Sequence, residues 1–396
     1  MHSNEAVTAK RIQAEYLKKF GTETNQSSPR IFRSPGRINL IGEHTDYNSG
    51  FVLPASVDKA VYFVIAPRED DQVILYAADL DQTYTFLVND LSKPSQEWAH
   101  YQLGIIEQIF KKGLSINGFQ AAFGGDVPVG AGLSSSAALE CCLLFALNEI
   151  FGLDLDRFEI VKMSQKAENQ YVGVQCGIMD QFASAFGKKE SVIRLDCRSL
   201  EYEYFPFPMK EYLLVLCDTK VKHSLANSEY NTRRQECEQG VAILKKYDET
   251  INSLRDAAIS LVHEHREELG DVVYRRSKFI TEEIERVRLA CDFLTAGDLQ
   301  SFGKKMYETH YGLQHEYEVS CPELDFLVEQ TFGNENVLGA RMMGGGFGGC
   351  TINLVRADAA NEFESEMKKV YLEKYKIDLP CYRVVITDGT EEIMIQ

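Results

Sequence analysis

The chain of 396 residues is 44% hydrophobic and 26% charged, the balance of a globular protein long enough for two ordinary cores. Its formal net charge of −17 argues against a protein that holds nucleic acid or anionic membrane through its overall field, so an anionic substrate needs a locally positive site. Ten cysteines are scattered without a Cys-x-x-Cys pair, which excludes zinc-ribbon and thioredoxin readings and fits reduced thiols in a cytoplasmic protein.

Met1-His-Ser-Asn-Glu shows no apolar signal core, and no run of about 18 apolar residues follows, so neither a leader nor a membrane span is expected. Ile12, Tyr16, Leu17 and Phe20 recur at helical spacing over 7–20, and Gly21 marks the stop. Three runs rich in Val, Ile, Tyr and Phe, at 61–66, 73–76 and 84–88, predict strands of an antiparallel meander. Leu103, Ile106 and Phe110 predict a helix over 101–112 closed by Gly113, and a strand is expected at 119–123. Helices are expected at about 134–150, 156–172 and 178–186, then strands at 191–197 and 212–217. Further helices are expected near 227–246, 278–295 and 298–309, and one from Ser320, where Ser320 and Glu323 fit a capping box. Strands are expected near 350–355 and 382–387. The stretch 200–212, rich in proline and aromatics, marks a boundary between an N-terminal unit, 1–205, and a C-terminal unit, 206–396. The final strand can return to either sheet.

Four stretches stand out from this pattern. Pro35–Tyr47 carries apolar Ile38 to Ile41 and then a polar run from Gly42. There Glu43 and Asp46 can each accept from two hydroxyls of one sugar, and His44 can donate or accept. The alternative is a strand leading into a charged surface loop, with Arg37 an ordinary surface arginine. Gly124–Ser136 is a Gly/Ser loop that runs into an apolar helix. Its backbone N–H groups, with a helix dipole behind them, suit phosphate, and Ser136 can offer a hydroxyl to Mg2+. It lacks the Gly-Lys-Ser/Thr ending of the Walker loop, and a serine-capped strand-to-helix turn is the alternative. Gly177–Phe186 sets Asp180 in an apolar helical run, where a carboxylate needs a partner unless it lies on the wet face. Glu168, twelve residues earlier, is unremarkable alone. Gly339–Cys350 has five glycines in positions 344–349, too much chain entropy for an indifferent connector. Either its backbone passes close to a ligand or it is a bulged hairpin at a domain junction.

In this order the four stretches resemble the GHMP small-molecule kinases, and among them the galactose-phosphorylating branch. The similarity continues through 176–181, 196–200 and 223–230 and covers residues 30–355. The resemblance implies a two-domain α+β fold. Its N-terminal domain would have a left-handed β-α-β crossover (ribosomal protein S5 domain 2-like), its C-terminal α+β domain an antiparallel sheet, and the active site would lie in the cleft between. It implies transfer of the ATP γ-phosphoryl group to the C1 hydroxyl of α-D-galactose, by a cytoplasmic monomer using Mg2+, with no nucleic-acid or membrane partner.

Position by position, the resemblance matches Glu43, His44, Thr45, Asp46, Gly177 and Tyr230 to the sugar ligands. Asp180 matches the catalytic aspartate and Arg37 the arginine beside it. Gly130, Ala131, Gly132, Leu133, Ser134, Ser135 and Ser136 match the triphosphate loop, with Ser136 and Glu168 as the Mg2+ ligands. Trp98 and Tyr101 fall where adenine-pocket aromatics lie. Lys222 is given no role. Two rivals are a kinase for N-acetylgalactosamine, against which Thr45 and Asn48 speak, and a sugar-and-ATP sensor without turnover. The intact Ser134-Ser-Ser-Ala-Ala138, Arg37 and Asp180 speak against the sensor.

Overall fold

The computed structural model describes residues 3–21, 28–128, 130–207, 209–222 and 226–394. Its largest sheet has six strands in the order 391–393, 30–39, 54–67, 119–125, 72–77 and 82–87. Neighbours are antiparallel except 72–77 and 119–125, which run parallel and are connected through strand 82–87 and helix His100–Lys111. The expected meander is therefore corrected, because 119–125 enters between 54–67 and 72–77. Phe119 to Phe123 are buried on both faces, which suits the middle of a sheet and not its edge.

Alternation along the strands divides two cores. Phe63, Ile65, Val73, Leu75 and Ala121 pack with helices His100–Lys111 and Ser135–Phe151 through Leu103, Ile106, Leu143 and Leu147. Tyr62, Val64, Tyr76 and Ala122 point the other way, onto Ile12 and Tyr16 of helix Ser3–Phe20. A second sheet is antiparallel throughout, in the order 337–342, 348–356, 212–222 and 381–384. The chain enters it after Tyr202–Pro206, which belongs to a small sheet with 51–52 and 191–196. The last strand, Glu391–Ile393, goes back to the first sheet and pairs with Ile31 to Arg33.

A third core joins the two large sheets and positions the glycine loop. Ile38, Leu40, Ala131, Leu133, Leu214, Leu216, Met343 and Ile352 are buried in one cluster. Leu133 alone, fully buried, contributes about 1.5–3 kcal/mol toward rooting that loop.

Three expected elements change form. The helix over 156–172 is α-helical only for Arg157–Lys166 and continues as a π-helical turn, Ala167–Val172, a widening common at functional sites. The helix near 278–295 is the later part of Arg266–Ala296, which kinks at Gly270. The helix expected from Ser320 begins at Pro322, because proline is pre-set for a first turn, and the Ser320 hydroxyl is committed to Asp325 at 2.5 Å. All ten cysteines are unpaired thiols. Among the described residues no helix is long and apolar enough to cross a membrane.

Candidate active site

Strand Arg30–Asn39 shifts register between Pro35 and Arg37. From that bulge Arg37 reaches the first turn of helix Met179–Phe186, where a helix dipole favours a carboxylate. Arg37 Nε and Nη2 grip the two oxygens of Asp180 at 2.7 and 2.8 Å. Burial pulls the Arg37 pKa down, but the charge and hydrogen bonds of Asp180 outweigh it, and the guanidinium ends above its ordinary value. Arg37 also holds the glycine loop, its Nη1 donating to Gly132 O and its backbone N–H to Leu133 O at 3.0 Å.

Helix Ser135–Phe151 starts from Ser134, whose backbone is left-handed at φ 54°, ψ 61° and whose side chain caps nothing. The serine-capped turn is thus not what forms. Ser134 makes no side-chain cap, which leaves first-turn N–H groups for another acceptor, the arrangement an anion takes up. A left-handed serine costs about 1–3 kcal/mol, strain of the kind held at functional sites. The side chains of Ala131 and Leu133 are buried, so these two residues can meet a phosphate only through their backbone.

A cavity of about 320 Å³ opens beside Arg37 and Asp180, walled by Glu43, His44, Asp46, Gly177, Tyr230 and the backbone of Gly344 to Gly346. Glu43 Oε1 accepts from Arg341 Nη2 and from the Gly344 N–H, both at 2.8 Å. Arg341 is wholly buried and also donates to Leu40 O at 2.7 Å and to Asn39 O, stapling the strand end to the glycine hairpin. Strands 337–342 and 348–356 form an antiparallel hairpin with a register shift between Val337 and Gly339. Gly344 touches the site, and Gly346, at φ 86°, passes the Val319 carbonyl too closely for any Cβ.

Asp46 is surrounded by cavity wall. Burial first, then the charges of Asp180 and Glu43, push its pKa up to about 7. A Cβ on Gly177 would fall inside the Asp46 carboxylate, which is why the position is glycine. His44 is buried, and burial with Arg233 and Arg341 nearby lowers its pKa to about 4, so the ring is neutral at pH 7. Tyr230 lies with its ring 5.4 Å from that of His44. The Thr45 hydroxyl is instead turned to the Gly42 and Phe51 carbonyls, at 2.9 and 2.6 Å, and shapes the turn.

Glu168 comes off the π-helical turn, buried, with Oε2 accepting from Gln181 Nε2 at 2.7 Å. Burial and then Asp180 raise its pKa, against hydrogen bonds from Cys176, Ser136 and Gln181. Gln181 Nε2 also lies 3.2 Å from Glu140 Oε2. Burial, then Glu168, push the Glu140 pKa well up, and its Oε1 is buried without a partner. Among the described residues no group of three or more His, Cys, Asp or Glu is gathered as a metal cluster. Trp98 and Tyr101 stand apart from the cavity wall. Trp98 Nε1 donates to Gln82 Oε1 at 2.8 Å, and its ring is 5.5 Å from that of Phe123. Tyr101 is raised to about 12 by burial and by Glu168 and Glu140.

Arg341, Glu140 and Gln181 were not legible as site residues. The signal available was a lone charge in an apolar run, Arg341 in 337–342 and Glu140 in 137–147.

Three family models match the chain: GHMP kinases N terminal domain over residues 100–188, galactokinase galactose-binding signature over 14–67, and GHMP kinases C terminal over 290–372. A galactokinase of Clostridium acetobutylicum is 42% identical over 95% of this chain and 98% of its own length. One of Thermotoga neapolitana is 40% identical over 91% and 99%. The structure of Lactococcus lactis galactokinase complexed with galactose superposes with a TM-score of 0.92 at 35% identity, covering 97% of this chain and 99% of that one. Methanococcus jannaschii mevalonate kinase, at 18% identity over 91% and 99% with a TM-score of 0.66, shares the fold.

Proposed function

The chain belongs to the galactokinase family of GHMP kinases, and from that premise we propose how its cleft moves a phosphoryl group. It is a kinase that phosphorylates galactose with ATP as co-substrate. The acceptor is the C1 hydroxyl of α-D-galactose, and the products are galactose 1-phosphate and ADP. Glu43, His44, Asp46 and Tyr230, with the Gly177 backbone, hold the sugar so that O1 meets Asp180. Asp180 takes the O1 proton as general base while O1 bonds to the γ-phosphorus and the bond to the β-phosphate oxygen breaks. Arg37 fixes the carboxylate and sets positive charge beside the transferring oxygens. The backbone from Gly130 to Ser136 cradles the phosphates.

The observation that carries this reading is the double hold of Arg37, on both oxygens of Asp180 and on the glycine loop at Gly132, at the rim of the sugar-sized cavity. It brings base, cation and anion cradle to one point. Positioning and charge then supply most of the rate.

Ser136 and Glu168 are the residues that would hold Mg2+. Two protein oxygens beside a triphosphate suit an ion that keeps several waters, and the unpartnered Glu140 Oε1 leaves a further buried acceptor nearby. Bound there, Mg2+ would neutralise charge on the phosphate oxygens. Trp98 and Tyr101 are assigned to the adenine side. Action as a monomer in the cytoplasm belongs to the same proposal, and the scatter of ten cysteines without a Cys-x-x-Cys pair supports the cytoplasmic part.

The test is phosphorus NMR of the product from galactose, ATP and MgCl2. The reading expects phosphorus coupled to the anomeric proton. Asp180→Asn is expected to lose about 10²-fold or more in kcat with galactose KM near wild type. Coupling to the C6 protons, no ADP release on adding galactose, or turnover only with N-acetylgalactosamine would overturn it.

A further inference from the structure

Behind the sugar pocket runs a buried row of polar groups that the phosphoryl transfer does not use. His44 Nδ1 lies 2.8 Å from the Tyr47 hydroxyl, and that hydroxyl lies 2.8 Å from the Tyr317 hydroxyl. Tyr317 OH lies 3.2 Å from Cys237 Sγ, which accepts from Asn48 Nδ2 at 3.6 Å. His44, Asn48, Cys237 and Tyr317 are all buried, and the rings of His44 and Tyr317 pack at 4.9 Å. The row therefore ties the turn after strand Arg30–Asn39 to helix Ala226–Leu244 and to the segment after helix Leu299–His315.

Chemistry sets the direction in which protons are shared along this row. Asn48 Nδ2 can only donate, so it occupies the Cys237 sulfur as acceptor. Burial pushes the Cys237 thiol up to about 11, against the hydrogen bond with Tyr317, so at neutral pH the sulfur keeps its proton. Each phenol holds one proton and passes it on, Tyr317 to Tyr47 and Tyr47 to His44 Nδ1. The opposite direction would end with two donors on one thiol sulfur, a weak acceptor. The His44 ring is neutral and carries a single proton. With Nδ1 accepting, that proton sits on Nε2. Nε2 is buried and has no hydrogen bond of ordinary geometry, although the Gly345 backbone favours a protonated ring.

We propose that Tyr47, Tyr317 and Cys237 are positioning residues that hold His44 as its Nε2–H tautomer, so that the buried N–H stays turned to the Gly345 backbone in the cavity wall and the ring is fixed against the sugar. The ligand in this statement rests on the galactose reading, whereas the tautomer needs no sugar to be measured.

The experiment is proton–nitrogen correlation NMR of the full chain labelled at its histidine nitrogens, ligand-free at pH 7, with His44 assigned by the signals lost in His44→Gln. The expected result is a neutral ring with its proton on Nε2. Tyr47→Phe keeps the ring and removes the hydroxyl. It should admit the Nδ1–H form and raise galactose KM on the order of tenfold, the scale of one hydrogen bond, with ATP KM and kcat within about twofold. Tyr317→Phe should act in the same direction more weakly, and it carries the test if Tyr47→Phe does not fold. An Nδ1–H ring in the wild type overturns the proposal. So does a hydroxyl-deleted variant with unchanged tautomer and unchanged galactose KM. A chain with the expected tautomer that failed to phosphorylate galactose would instead overturn the functional reading.

Discussion

The two sides of the cleft are made of different material. On the side assigned to the sugar, Glu43, His44 and Asp46 are side chains already engaged with Arg341, Tyr47 and the close-packed Gly177. On the side assigned to the triphosphate, Gly130 to Ser136 offer backbone, with Ala131 and Leu133 turned into the core and Ser134 bent left-handed without capping its helix. A sugar presents hydroxyls that must be told apart, which takes donors and acceptors at fixed points. A triphosphate presents charge, which N–H groups and a helix end can meet without side chains. Substitutions should therefore cut deeply on the sugar side, while on the phosphate side only those that disturb the backbone should matter.

The largest effect should come from Arg341→Met. It leaves Glu43 buried without its cation and cuts the staple to Asn39 and Leu40. The expected destabilisation is about 3–5 kcal/mol, read by urea unfolding. A loss below about 1 kcal/mol would mean the sugar side is less pre-built than the contacts indicate.

Next is Gly177→Ala, whose Cβ must displace the Asp46 carboxylate. Galactose affinity should fall about 10²-fold by calorimetry, since charged hydrogen bonds of about 1.5–3 kcal/mol each are lost, while ATP KM stays near wild type. An equal loss for both substrates would erase the contrast between the two sides.

A smaller effect concerns pH. The Asp46 pKa is raised in the folded chain to about 7 from 3.8. Its contribution to stability is then present below about 4 and lost as pH rises toward 7. Galactose that needs the ionised carboxylate as acceptor should release protons on binding near pH 7. Calorimetry in two buffers of different ionisation enthalpy should show it, and Asp46→Asn should abolish it. His44, lowered to about 4, should contribute no titration to sugar binding above pH 5.

The smallest effect should be Ser134→Gly. Glycine takes the same left-handed backbone without strain, so ATP KM should change by less than about threefold. A large rise would show that the phosphate side also depends on a side chain.

The stretches that meet around the candidate site could be picked out in the sequence because each is local in the chain. Glu43 to Asp46, Gly130 to Ser136 and the glycines after Met343 are contiguous runs that stand out by composition, although each also had an ordinary structural reading. What escaped was long-range. Strand 119–125 inserts between two strands that looked adjacent, and nothing in 61–88 announces a partner from so far along the chain. Arg341 reads as one charge in a strand until its partner Glu43, 298 residues away, is seen beside it. Gln181 and Glu140 escaped for the same reason, since the meaning of a buried polar group lies in the neighbour that folding supplies.

The most direct test is a crystal structure with galactose and a non-hydrolysable ATP analogue. It should place the sugar O1 about 2.6–3.2 Å from an Asp180 oxygen, with the terminal phosphate against the N–H groups of Gly130 to Ser136 and facing O1. An O1 turned away from Asp180, or a nucleotide bound with its phosphates outside that loop, would contradict the account.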